Sequence, residues 1–165
     1  MKEKAYCILA GGCFWCMAKP YYQYEGIEKV FSGYTGGKEE NPTYEQVKRQ
    51  ETGHKEAIKI IYDEKIIKYK DILNVYFQTI DPFDFGGQYI DRGSSYTCAI
   101  FYHDNKMQEI AIEYITQLEE KYNKKCAVEL LEENEFYIAE EYHQDYALKN
   151  PEAMEKELRE SGRKK

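Results

Sequence analysis

Two thiols three positions apart, in the stretch Gly11-Gly12-Cys13-Phe14-Trp15-Cys16, are the residues of this chain best suited to chemistry. Upstream, Ala5 to Ala10 is apolar on both faces and predicts a short buried strand, which the glycine pair ends. Glycine also lets the backbone take conformations closed to other residues and lets a substrate come close. The residues from Cys13 to Ala18 then fit the first turns of a helix, with Pro20 predicting a kink or an early stop. A cysteine at a helix N-terminus meets unpaired N–H groups and the positive end of the helix dipole, so a thiol pKa lowered toward neutrality is expected at Cys13. Most free cysteines pack as small hydrophobes, and Cys7, mid-strand, reads that way. The glycines, the helix start and the adjoining Phe-Trp set Cys13 apart.

The elements that must hold this thiol follow from the patterning. Gly26 reads as a stop and Ile27 to Phe31 as a second strand, followed by a glycine-rich loop from Ser32 to Gly37. Asn41-Pro42-Thr43 predicts a turn into a short helix in which Thr43 and Gln46 form a capping box, with Tyr44 just inside its start. Glu56 begins a strand to Tyr62 and shares the face of Ile58 and Ile60. Lys68 to Ile80 is a clear amphipathic helix, ended by Asp81-Pro82. The aperiodic segment from Phe83 to Ser95 reads as a functional loop. A strand from Tyr96 to Tyr102, a helix from Asp104 to Lys125 and a strand from Ala127 to Leu131 complete the series. The expected fold is α+β, a two-layer sandwich with a ferredoxin-like split βαβ core and a mixed sheet.

The cysteine stretch resembles the signature of peptide methionine sulfoxide reductases of the A type, Gly-Cys-Phe-Trp-Gly with the cysteine as nucleophile. Further stretches agree in family order: Gly33-Tyr34-Thr35-Gly36-Gly37, Asn41-Pro42-Thr43-Tyr44-Glu45-Gln46-Val47, Thr52-Gly53-His54-Lys55-Glu56-Ala57, Asp91-Arg92-Gly93-Ser94-Ser95-Tyr96 and Glu140-Glu141-Tyr142-His143-Gln144-Asp145-Tyr146. The resemblance spans about Lys4 to Pro151. It implies that Cys13 attacks the sulfur of methionine S-sulfoxide, free or in oxidised proteins. Oxygen leaves only when protonated, and a carboxyl in an apolar pocket has the raised pKa to supply that proton. Glu56 is the candidate donor. The resemblance gives Tyr44 and Tyr96 as hydroxyl donors to the oxygen, Phe14 and Trp15 as the apolar pocket for the substrate methyl, and Asp91 as a structural or hydrogen-bonding residue near the thiol. His54 and His143 stand in motifs without a chemical task. His143 is read as a structural hydrogen-bond partner on the terminal helix.

Attack leaves a sulfenic acid on Cys13, which another thiol must convert to a disulfide before reduction. Many family members keep resolving cysteines in a glycine-rich C-terminal tail, but this chain has no cysteine after Cys126 and carries Cys16 where the motif has glycine. Either Cys16 resolves, or an external thiol such as glutathione, glutaredoxin or thioredoxin does. Some relatives use selenocysteine as nucleophile; position 13 here is cysteine. No bound cofactor or metal is expected.

At 165 residues the chain predicts one catalytic domain, with 152–165 as a helical, basic tail whose Gly162-Arg163-Lys164-Lys165 end is solvated. A formal net charge of −7 argues against nucleic-acid or anionic-membrane partners. No apolar run reaches the roughly 20 residues of a membrane span and no signal peptide is evident, so a cytoplasmic monomer is expected. Five irregularly spaced cysteines do not make a disulfide framework or a zinc site. Two rival readings stand beside this one: a general disulfide oxidoreductase that uses Cys13-x-x-Cys16 on proteins, and a module whose aromatic pocket holds a methionine side chain without turnover. The first leaves the tyrosine and glutamate motifs idle, and the second predicts an inert Cys13.

Overall fold

The computed structural model describes residues 4–161. The basic Gly162–Lys165 end lies outside them. Strand β1 (Ala5–Ala10) leads into helix α1 (Phe14–Ala18). Pro20 continues α1 as a 3-10 turn over Lys19–Gln23, a tightening that suits a residue with no N–H to donate. β2 (Ile27–Thr35) pairs antiparallel with β3 (Lys55–Tyr62), and helix α2 (Tyr44–Lys48) lies in the connection between them. Helix α3 (Tyr69–Thr79) is followed by two short strands, β4 (Gly87–Gln88) and β5 (Asp91–Arg92), that form a separate ribbon. β6 (Ala99–Tyr102), α4 (Asn105–Tyr122), β7 (Glu129–Glu132) and β8 (Phe136–Ile138) come next. Helices α5 (Tyr146–Lys149) and α6 (Pro151–Ser161) end the described chain.

The main sheet has the order β7-β6-β1-β3-β2-β8. Its inner four strands, β6-β1-β3-β2, are antiparallel and form the split βαβ core. β7 joins β6 in parallel and β8 joins β2 antiparallel, which makes the sheet mixed. Side chains alternate across it. Cys7 and Leu9 of β1 and Ile58 and Ile60 of β3 face one side, where they pack with Phe14, Met17, Ile72, Leu73, Tyr76 and Ala111 of the helices. The other face buries Ile8, Ala10, Ala57, Ala99 and Phe101 beneath Tyr6, Leu131 and Phe136.

Several boundaries differ from the sequence reading: α4 ends at Tyr122 rather than Lys125, β7 begins at Glu129 rather than Ala127, and β4, β5 and β8 have no counterpart in it. The supposed loop from Ser32 continues β2 to Thr35, because Tyr34 and Thr35 are fully buried and pair with Glu56 and Lys55. Gly33 belongs in that strand, since a Cβ there would come 2.5 Å from the Tyr137 carbonyl of β8. Tyr96 is not in a strand; it closes a 3-10 turn over Ser94–Tyr96, and β6 begins only at Ala99. The Thr43–Gln46 capping box forms as expected, Thr43 Oγ1 accepting from the Gln46 amide at 3.2 Å and Gln46 Oε1 from the Thr43 amide at 2.8 Å.

Candidate active site

The two glycines before Cys13 do different work. Gly12 has φ 89°, the left-handed conformation that turns the chain from β1 into α1. A Cβ on Gly11 would lie 2.7 Å from both Ile80 and Met17, so glycine there lets α3 and α1 close over the end of β1. Cys13 is the N-cap residue of α1, one position ahead of the helical residues, and its carbonyl accepts from the Met17 amide at 3.1 Å. It is 8% exposed, and Cys16, one turn on, is 1% exposed.

The lowered thiol pKa expected at Cys13 is not what the surroundings produce. A hydrogen bond with the Cys16 thiol, then burial, then repulsion from Cys16 and from Glu56 wherever those groups ionise, push the Cys13 thiol up. The Cys16 backbone N–H pulls the other way and does not offset them. Five residues of helix carry only a short dipole, and the carboxyl beside the thiol opposes it. The resting site therefore holds a protonated thiol.

Glu56 is placed by register. The β1–β3 ladder ends at Ala10 opposite Ala57, so the next residue of β3 faces the gap where the chain leaves the sheet as Gly11–Cys13. There the Phe14 amide donates to Glu56 Oε1 at 3.3 Å. Burial pushes the Glu56 carboxyl up to about 8, against the Phe14 amide, with Asp91 adding to the rise and Tyr96 opposing it. At neutral pH it is a carboxylic acid 2% exposed, able to donate. The Tyr96 hydroxyl interacts with both Glu56 and the Tyr44 hydroxyl. Burial, then neighbouring Glu56, raises both tyrosine pKa values and keeps both hydroxyls protonated.

Cys13, Phe14, Trp15, Tyr44, Glu56, Asp91 and Tyr96 line one cavity of about 60 Å³. Since one water needs at least about 10–15 Å³, this is room for a side-chain tip rather than a whole amino acid. A larger hollow of about 380 Å³, between the starts of α3 and α4, is lined by no cysteine. Among the sequence candidates only Cys16 is outside the active cavity; it lies beneath it, in contact with Cys13. Cys7, Cys98 and Cys126 are buried in the main core.

Several residues around the cavity hold its lining in place, and of these Glu140, Met154 and Glu157 had no assigned role in the sequence. Trp15 is clamped between Tyr146, stacked at 3.8 Å, and His143, whose Nδ1 accepts from the indole Nε1–H at 3.1 Å. Burial lowers the His143 pKa and keeps it neutral, with its proton on Nε2. It is thus the structural partner expected, but in a 3-10 turn over Glu141–His143 rather than on a terminal helix. His54 is structural as well: Nδ1 accepts from Gly37 N–H at 3.0 Å, so Nε2–H donates to the Glu39 carbonyl at 2.6 Å. Glu140 accepts from the Tyr34 hydroxyl at 2.9 Å and the Tyr44 amide at 3.0 Å, fixing α2 to the sheet. From α6, Met154 packs with Cys13 and Cys16, and Glu157 lines the catalytic cavity. Its signal in the sequence was position, since Met154, Glu157, Leu158 and Ser161 fall on one helical face.

A split βαβ sheet that presents a buried thiol to a protonated carboxyl and two tyrosine hydroxyls defines a thiol-dependent oxidoreductase. The family model of peptide methionine sulfoxide reductase matches residues 5–165. The chain is 50% identical over 153 residues to the peptide methionine sulfoxide reductase MsrA of Bacillus licheniformis, covering 92% of this chain and 84% of that one. It is 48% identical over 163 residues to MsrA 2 of Staphylococcus aureus, covering 98% and 92%. Reduced Mxr1 of Saccharomyces cerevisiae superposes with a TM-score of 0.83 at 29% identity over 91% of this chain and 87% of that one. For methionine sulfoxide reductase A of Corynebacterium diphtheriae the values are 0.81, 25%, 92% and 77%. The chain belongs to the peptide methionine sulfoxide reductase family. It is an oxidoreductase that reduces methionine sulfoxide at the expense of thiols.

Proposed function

We propose that Cys13 is the nucleophile of this reaction and Glu56 its proton donor, acting on the S epimer of methionine sulfoxide in one catalytic domain. The observation that carries the reading is the Cys13–Glu56 pair, thiol and carboxylic acid, facing one small cavity at the end of β1. The sulfoxide methyl rests on Phe14 and Trp15, and its oxygen accepts from Glu56, Tyr44 and Tyr96. Asp91 closes the cavity near the thiol and adds to the upward shift at Glu56. Glu56 delivers its proton to the sulfoxide oxygen as the Cys13 sulfur attacks the sulfoxide sulfur, and the proton displaced from the thiol passes to the Glu56 carboxylate so formed. The S–O bond of the substrate breaks and an S–O bond forms on Cys13, which is oxidised by two electrons as the substrate is reduced by two. Methionine leaves and a sulfenic acid remains.

Resolution follows by condensation with a thiol, releasing water. The thiol contact between Cys13 and Cys16 supports Cys16 as that partner, since no large movement is needed to join them. Against Cys16 stands only its burial, and external attack by a glutathione or glutaredoxin thiol is the alternative. The Cys13–Cys16 disulfide is then reduced by a thioredoxin-type protein; Mxr1 of Saccharomyces cerevisiae is known in complex with Trx2. We place the enzyme in the cytoplasm, as a monomer.

One experiment tests nucleophile and resolver together. Reduced protein receives one equivalent of substrate with no reductant, methionine is quantified, remaining thiols are blocked and peptides are mapped by mass. Wild type should give one equivalent of methionine and a Cys13–Cys16 linked peptide. Cys13→Ser should give none, and one equivalent from it would remove Cys13 from the reaction. A persistent Cys13 sulfenic acid with alkylated Cys16 would assign resolution to an external thiol.

A further inference from the structure

Helix α6 brings a carboxylate to the catalytic cavity that the chemistry above does not use. Met154, fully buried, anchors the helix against Cys13, Cys16 and Ala147, with Leu158 and Trp15 packed at its margin. Lys19 pairs with Glu155 at 3.5 Å on the flank. Glu157 lies on the same helical face as Met154 and Leu158, where an amphipathic helix would carry an apolar residue, and it projects to the cavity instead. Partial burial, then the neighbouring charges of Asp91 and Glu160, raise its pKa.

The lining of the cavity thus holds three carboxyls, Glu56, Asp91 and Glu157, with no lysine, arginine or histidine among them. Asp91 pushes the pKa of both Glu56 and Glu157 up, as a neighbouring negative charge does, while Lys48, 5.7 Å over the Tyr44 ring, opposes it at Glu56. The cavity admits only the sulfoxide tip, which leaves the rest of the substrate at the mouth beside these carboxylates. In a half-buried setting, one unit of charge changes the binding of a charged neighbour by several-fold, and salt weakens the effect.

We propose that Glu157, together with Asp91, makes the mouth cation-selective, so that the preferred substrate class is methionine sulfoxide flanked by a positively charged residue. Glu157 is a specificity residue and takes no part in bond breaking. The proposal rests on the sulfoxide reductase reading of the site.

The test uses the full-length protein and three acetylated, amidated dipeptides in which Lys, Gln or Glu precedes methionine S-sulfoxide, assayed at low and high salt with dithiothreitol. Wild type should show kcat/KM falling from the Lys to the Gln to the Glu peptide, about tenfold end to end at low salt and less at high salt, with the difference in KM. Glu157→Gln should compress the series and Glu157→Lys should flatten or invert it. A purely structural role for Glu157 would change all three peptides by one factor and leave the ratios intact. A flat series in wild type, or the same series in both variants, overturns the proposal while the Gln peptide still reports reductase activity. No turnover of any peptide by wild type would overturn both.

Discussion

At the scale of single residues, Glu56 carries the sharpest consequence. A sulfoxide oxygen only accepts hydrogen bonds, so the acid form of Glu56 attracts it and the carboxylate repels it. Burial sets the changeover at about pH 8. In an inert Cys13→Ser background, affinity for methionine S-sulfoxide should therefore fall as pH rises through about 8, measured by calorimetric titration. Glu56→Gln keeps a hydrogen-bond donor at every pH, so the fall should vanish. The same substitution in the active enzyme removes the transferable proton, and single-turnover formation of methionine should slow by roughly a hundredfold or more. An unchanged rate would mean that the proton comes from elsewhere.

Elements position these residues through a few long-range contacts. Helix α2 has five residues, too short to hold Tyr44 in place by its own hydrogen bonds. Its capping box starts it, and Glu140, 96 residues away in sequence, ties the Tyr44 amide to the Tyr34 hydroxyl of β2. Burial raises the Glu140 pKa, but the hydrogen bonds from Tyr44, from its own backbone and from Tyr34 outweigh it and keep the group ionised. Glu140→Ala would strip both donors of their acceptor at a cost of about 1–3 kcal/mol. The tie also orients a hydroxyl at the sulfoxide, so kcat/KM should fall about 10- to 100-fold while a Glu140→Gln variant recovers part of it. Chemical denaturation alongside steady-state kinetics separates the two effects. Equal losses in both variants would show that the charge, not the shape, matters.

For the whole molecule, a buried acid that must keep its proton lowers stability at high pH. The Glu56 pKa rises from the ordinary 4.5 to about 8 on folding, so between those values the folded protein holds a proton that the unfolded chain has released. Stability from this group is thus lost progressively as pH rises from about 4.5 to 8, and stays lost above. The full cost is on the order of 4–5 kcal/mol. The stability advantage of Glu56→Gln over wild type, read from urea unfolding, should grow across that window and level off above it. A difference independent of pH would place the Glu56 proton elsewhere. Activity and stability therefore pull on this carboxyl in opposite directions.

The sequence by itself determined the class of reaction and the order of the core elements, and it named every residue that lines the cavity except Glu157. Cys13-Phe14-Trp15, Glu56 and Tyr96 stand in local patterns that survive whatever surrounds them, and the runs apolar on both faces mark β1 and β3 as buried strands. The tertiary structure decided the protonation states. A helix start predicts a lowered Cys13 pKa, yet the thiol is raised, because Cys16 and Glu56 are brought against it and water is removed. It also decided that Ser32–Thr35 is strand, since only β3 and β8 on either side give those residues ladder partners. Likewise, only packing could show that Met154 and Glu157, 141 and 144 residues after Cys13, return to its side. Periodicity records which face of α6 is buried; it carries no information about what that face is buried against.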